Sequence, residues 1–264
     1  MLAVFGHGRR IVGLDDRQAG FIVLGMARGL AIETSGRVGS VAVVRDGGVV
    51  VEERFEHGFK HAAELLPMID RLVRGQGWGP GDIEELYVSG GPGSFTGLRI
   101  GITMAKTMAL ATGVRVVAVP TVRVLAENAP AEAREVIVVL DAKREQIFTA
   151  RFERVDGKWE EREGAHLDSL EGMLGRAGRP VWLVGEGLPV HEKYVRGEEG
   201  VVVTGEESWR ARASVVAEVG MEMARRGEWA DVEKLAPIYI RKPEAEEKWE
   251  IANEGRIGGA GGEK

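Results

Sequence analysis

Apolar positions alternate along the first readable stretch of this chain and then change to a helical period. Leu30-Ala31-Ile32 reads as a buried strand that ends at Glu33-Thr34-Ser35. Val38 to Val44 alternates and returns through Asp46-Gly47-Gly48, a hairpin signal, and Val49-Val50-Val51 continues as a third strand. Leu65, Leu66, Ile69, Leu72 and Val73 then share one helical face, and Gly75-Gln76-Gly77 closes it. Glu85-Leu86-Tyr87-Val88 is the next strand. It feeds a glycine-rich run, Ser89 to Gly101, and a small-residue helix extends to Thr112. Val114 to Val119 is a strand stopped by Pro120, and Thr121 to Asn128 is a short helix.

The pattern then begins again. Glu135 to Asp141 is apolar, Gln146 to Arg154 alternates, and Asp156-Gly157 turns the chain into a strand at Lys158 to Arg162. Leu167 to Leu174 is weakly helical, Val181 to Val184 and Val201 to Thr204 are short strands, and Ala211 to Arg226 is a long helix. The order βββαβαβα, read twice, predicts an α/β protein with a mixed sheet and helices on its faces in each half. Leu235 to Arg241 reads as a short extended segment. The expected divisions are a dispensable extension over 1–25, halves over 26–130 and 131–243, and a flexible tail over 244–264.

With 264 residues, 44% hydrophobic and 29% charged, the chain has the composition of a folded protein of two ordinary domains. It has no cysteine, which excludes disulfides and thiolate chemistry and fits a cytoplasmic setting. The net charge of −6 gives no overall basic footprint for RNA. No run is apolar and long enough to span a membrane.

Two stretches carry candidate chemistry. Gly91-Pro92-Gly93-Ser94 follows a strand and starts a helix. It reads either as a phosphate cradle or as a tight turn that lets helix and sheet pack closely, with Ser94 or Thr96 as helix cap. It is neither a P-loop nor a dinucleotide fingerprint. Glu33, Thr34 and Ser35 read either as a phosphate or Mg²⁺ corner or as a polar turn. Asp141 stands where the same corner recurs in the second half, beside Lys143, Arg144 and Glu145, which read as a solvated hairpin tip. His57 and His61 have the spacing of a metal pair, but without the acidic residue of a zincin they read as surface or helix-entry histidines. No metal site is expected.

These stretches together resemble the bacterial TsaB family. The likeness rests on Ala31-Ile32-Glu33-Thr34-Ser35 with Val41-Ala42-Val43, on His61 with Leu65-Leu66-Pro67-Met68-Ile69, and on Gly91 to Gly101. Ala118-Val119-Pro120-Thr121, Asp141-Ala142-Lys143-Arg144 and Pro237-Ile238-Tyr239-Ile240-Arg241 extend it. The resemblance implies two ribonuclease-H-like halves of the actin, sugar kinase and Hsp70 ATPase superfamily. It also implies a non-catalytic dimerisation subunit for TsaD, the transferase that makes N6-threonylcarbamoyladenosine next to the anticodon of tRNA. TsaE, a small ATPase, joins that assembly, and tRNA is reached through the complex. ATP and the threonylcarbamoyl adenylate are used by the complex, with no cofactor of the chain's own. The partner face implied is the first two helices of the amino-terminal half, with Leu65, Met68, Ile69, Leu98, Gly101, Ala105 and Ala109 as contacts. A homodimer through the same face is expected when the partner is absent.

Two departures bear on catalysis. TsaD-type chains carry a His-x-x-x-His pair where this chain has Val119 to Ala126, which contains no histidine. The family usually has Asp where Glu33 stands. The alternative function is an ATP-hydrolysing or phosphotransfer enzyme of the same superfamily, using Glu33, Asp141 and the Gly91–Gly97 turn. A protease reading finds no nucleophile and base assembled in the sequence.

Overall fold

Alternating stretches pair as neighbours, and the helical stretches cover them. The computed structural model describes residues 27–56, 61–195 and 197–241. In the amino-terminal half β1 (Gly29–Glu33), β2 (Val38–Arg45) and β3 (Gly48–Glu56) form an antiparallel meander. Asp46 and Gly47 both have positive φ, 54° and 78°, as a two-residue type I′ hairpin requires. The chain continues through α1 (His61–Gly75), β4 (Glu85–Gly91), α2 (Phe95–Thr112), β5 (Arg115–Pro120) and α3 (Thr121–Ala126). β4 lies parallel to β1, and β5 lies parallel to β4, so the sheet order is β3-β2-β1-β4-β5.

The second half repeats the plan. β6 (Glu135–Asp141), β7 (Ile147–Val155) and β8 (Lys158–Asp168) form its meander. α4 (Leu170–Arg176), β9 (Val181–Val184), α5 (Leu188–His191), β10 (Val201–Val203) and α6 (Ala213–Arg225) follow. The order β8-β7-β6-β9-β10 mirrors the first sheet. The molecule therefore consists of the two ribonuclease-H-like halves that the sequence led us to expect. Several elements differ from that reading: β3 runs on to Glu56 and α3 ends at Ala126. β8 runs on to Asp168, consuming the start of the anticipated helix, and α5 is a single turn with no sequence signal of its own.

The helices are shared between the sheets. α1 and α2 cover one face of the first sheet, where Leu65, Ile69, Leu72, Ile102 and Ala105 meet Leu30, Ile32, Val41 and Val43. α4 covers the outer face of the second sheet, through Leu170, Met173 and Leu174 on Ile137 and Val139. Between the sheets lies a continuous apolar core in which Ala31, Ala42, Tyr87 and Val117 join Val136, Val138, Ala150 and Phe152 through α3 and α6. α6 belongs to the second half in sequence, yet it packs along β1, β2, β4 and β5 of the first. Gly220 makes this approach close, since a Cβ there would meet the Tyr87 side chain at 2.5 Å. Among the described residues no helix is long and apolar enough to cross a membrane. The expectations for 1–25, for 244–264 and for His57 fall on residues outside those described, and so does the side chain of His61.

Candidate functional site

β1 ends in a buried polar corner. Glu33 and Thr34 are 0% exposed and Ser35 is 4% exposed. The Glu33 carboxyl accepts from the Ser35 backbone N–H, from Ser35 Oγ at 2.6 Å and from Ser89 Oγ on neighbouring β4. Burial pushes its pKa up from the ordinary glutamate value; the Ser35 and Ser89 hydrogen bonds oppose that rise, and the charge of Glu186 adds to it. Thr34 Oγ1 is buried and has no partner among the described residues.

The glycine-rich turn closes over this corner. Ser94 N–H donates to Ser35 O at 2.7 Å, and Ser94 Oγ caps α2 by accepting from Gly97 N–H at 3.3 Å. A Cβ on Gly93 would strike the Ser35 backbone, one on Gly97 the Thr34 carbonyl and one on Gly101 the Thr34 hydroxyl. The glycines at i, i+4 and i+8 therefore form a seat for the end of β1. Of the two readings of this turn, the geometry favours close packing of helix on sheet. From the other side, Ile238 N–H donates to Gly90 O at 2.7 Å, so the segment after α6 lies across Gly90 and Gly91.

Asp141 occupies the corresponding strand end in the second half. It accepts from Lys143 N at 3.0 Å and Nζ at 2.9 Å, and His191 Nε2 lies 3.5 Å away. Burial works against its charge, but the Lys143 hydrogen bonds and charge outweigh it and hold the carboxyl below the ordinary aspartate range. Lys143, Arg144 and Glu145, all with positive φ, form the hairpin tip. Among the described residues no hydrogen bond or ion pair joins Asp141 to the Glu33 corner. The group that does reach this corner from the second half is Glu186, whose Oε2 accepts from Arg37 N–H at 2.9 Å. Sequence reasoning missed it, although Gly185-Glu186-Gly187 follows β9 much as Pro92-Gly93 follows β4. Among the described residues no group of three or more His, Asp or Glu is placed to hold a metal ion.

The partner-contact residues require correction. Leu65, Met68 and Ile69 on α1, and Leu98, Gly101, Ala105 and Ala109 on α2, are all buried in the chain's own structure. The small-residue row Gly101, Ala105 and Ala109 admits the first sheet, not a partner. The outward side of α2, with Leu66 of α1 beside it, is different and also apolar, while the rest of α1's outward side carries Asp70, Arg71 and Arg74. Leu66 is 54% and Leu110 77% exposed, and Ile100, Met104 and Met108 are half-buried beside them. A groove of about 450 Å³ runs along it, lined by Leu66, Pro80, Ile100, Met104, Met108 and Ala111 among others. The 18 residues of α2 carry charge only at Arg99 and Lys106. Both are engaged with the segment after α6, Arg99 by Tyr239 Oη at 3.0 Å and Lys106 by the carbonyls of Glu233 and Leu235.

Known proteins resemble this chain in sequence and fold. Residues 40–249 match the family model described as TsaD: tRNA N6-adenosine threonylcarbamoyltransferase. The tRNA threonylcarbamoyladenosine biosynthesis protein TsaB of Bacillus subtilis (strain 168) is 32% identical over 227 residues, covering 83% of this chain and 96% of that protein. The TsaB of Escherichia coli (strain K12) is 31% identical over 221 residues, covering 80% and 94%. The solved structure of YeaZ from Pseudomonas aeruginosa superposes with a TM-score of 0.69 at 25% identity, covering 81% of this chain and all of that one. The chain therefore belongs to the TsaB family, within the wider group that the threonylcarbamoyltransferase model describes.

Proposed function

We propose that this chain serves tRNA threonylcarbamoyladenosine synthesis as a non-catalytic subunit that docks on, and activates, the transferase TsaD. The observation that carries the reading is the apolar groove along the outward side of α2, lined by Ile100, Met104, Met108 and Ala111 with Leu66 of α1 beside them, and the exposed Leu110 on the same helix. Interface cores are poor in charge and rich in methionine, and methionine adapts to a partner's shape. Here both charges of α2 are engaged by the segment after α6; Arg99 lines the groove and Lys106 does not, so the rest of the α2 strip is uncharged. The same strip would close on a second copy of the chain when TsaD is absent. TsaE and tRNA are met in the assembled cytoplasmic complex, where ATP and the adenylate are consumed.

The polar corner supports the same reading over the ATP-using alternative. Glu33 is enclosed, and its oxygens are occupied by Ser35 and Ser89. The turn that would cradle phosphate is packed against Thr34 and Ser35. Reconstitution of tRNA modification with TsaD, TsaE and the adenylate-forming enzyme tests the proposal. Modification is expected to fall to background when this chain is omitted. Equal modification without it, or ATP turnover by the chain alone that is lost on Glu33→Ala, would overturn it.

A further inference from the structure

The contact made by Glu186 has the chemistry of an occupied anion site. Gly185 (φ 126°) and Gly187 flank this residue, and a Cβ on either would run into the backbone of Val139, Leu140 or Asp141. The turn after β9 therefore presses onto the end of β6 and carries the Glu186 carboxylate across to the β1–β2 turn, 149 residues away in sequence from its partner. There Oε2 accepts from Arg37 N–H at 2.9 Å. Both carboxylate oxygens also face Gly36, 3.2 and 3.3 Å from where its Cβ would lie. The Arg37 side chain is exposed and forms no ion pair among the described residues. A backbone N–H beside an unpaired guanidinium, on a turn with no side chain in the way, is a setting that takes an oxyanion.

We infer that the Gly36–Arg37 turn is an anion-binding site which the chain fills with its own Glu186 carboxylate, closing it to free tetrahedral oxyanions such as inorganic phosphate. A tethered carboxylate acts at a high effective concentration, so a dissolved anion competes poorly with it. Charge points the same way. A second anion entering beside Glu186 would meet a like charge. The site opens when the Glu186 charge is removed. This holds whether or not the chain docks on TsaD.

The test is a titration of the full chain with inorganic phosphate at constant ionic strength in chloride, followed by calorimetry and by ³¹P line broadening. The parent is expected to show no saturable binding, and Glu186→Ala saturable binding in the millimolar range. Glu186→Gln falls between them, because its amide oxygen still accepts from Arg37 N–H but carries no charge. Adding Arg37→Ala to Glu186→Ala should weaken binding roughly tenfold through loss of a charged donor. Two results overturn the inference: equal binding by parent and Glu186→Ala, or no saturable binding by a Glu186→Ala chain whose circular dichroism shows it folded. Should Glu186→Ala fail to fold, Glu186→Gln takes its place, and binding equal to the parent's, or no saturable binding by the folded variant, overturns the inference in the same way.

Discussion

Glu33 is an ionisable group shut away from water, and its carboxyl is held by hydroxyl and amide donors, with no cation bonded to it among the described residues. Its pKa is raised by folding, so the folded form binds its proton more tightly than the unfolded chain does. The resulting stabilisation is full below the ordinary value of 4.5 and is lost as pH rises through the folded pKa. Glu33→Gln removes the titration while keeping an oxygen for Ser35. The variant should therefore gain on the parent in thermal midpoint as pH rises from about 4.5 to 8. A difference that stays constant across that range would show that Glu33 does not govern it. Gly97 tests the neighbouring contact. Gly→Ala within a helix normally gains about 1 kcal/mol, but here the added Cβ lands on the Thr34 carbonyl. Overpacking against backbone costs about 1–3 kcal/mol, so the clash wins and Gly97→Ala should be destabilised in urea unfolding. Gly175 on α4 has nothing within 4 Å of its Cβ position, and Gly175→Ala should be neutral or slightly stabilised.

At the scale of the element, α2 is the helix whose two sides have to be told apart. Ala105 is 0% exposed and faces the first sheet, so Ala105→Arg would force a guanidinium into an apolar core. That variant should lose folded structure, and loss of a partner would then say nothing about docking. Thr107 is exposed on the opposite side and lines the groove. Thr107→Arg should shift stability by no more than about 0.5 kcal/mol, as surface changes do, while abolishing copurification with TsaD. Retained copurification by a folded Thr107→Arg chain would remove the groove from the interface. The helix itself was legible, because glycine turn, serine cap and small-residue spacing agree. Its orientation was not, since apolar residues lie on both sides and a row of small residues fits a sheet as well as a partner. β8 was legible only to Arg162 for a related reason. It is an edge strand with few buried positions, so the alternation that marks a strand fades, and pairing with β7 alone carries it to Asp168.

For the whole molecule, the repeated βββαβαβα order was readable because each hairpin and helix is a local signal. What periodicity cannot state is which sheet an amphipathic helix meets. α6 is the case in point: it comes last in the second half and covers the first sheet. Its amino-terminal N–H groups are met by first-half side chains, Ala213 N by Ser40 Oγ at 2.8 Å and Ser214 N by Glu52 Oε1 at 3.1 Å. Without α6, Ala31, Ala42, Val44 and Tyr87 would lie open on one face of that sheet. Burial of side chains of this kind is worth about 1.5–3 kcal/mol for each large one, which is a substantial part of a marginal total. Residues 27–130 expressed alone should therefore aggregate or stay unfolded, even though they contain a complete sheet and the helices α1 to α3. Coexpression with 131–241 should recover a soluble pair, because α6 then restores the missing cover. A cooperative thermal transition from 27–130 in isolation would show instead that the first half holds its own core and that α6 is an ornament to it. The same dependence bears on docking, since α2 lies on the opposite face of the sheet that α6 supports. Gly220→Val, which would drive a branched side chain against Tyr87, should therefore lower the thermal midpoint and, on the proposed function, weaken copurification with TsaD together, though α6 lines no part of the proposed docking groove.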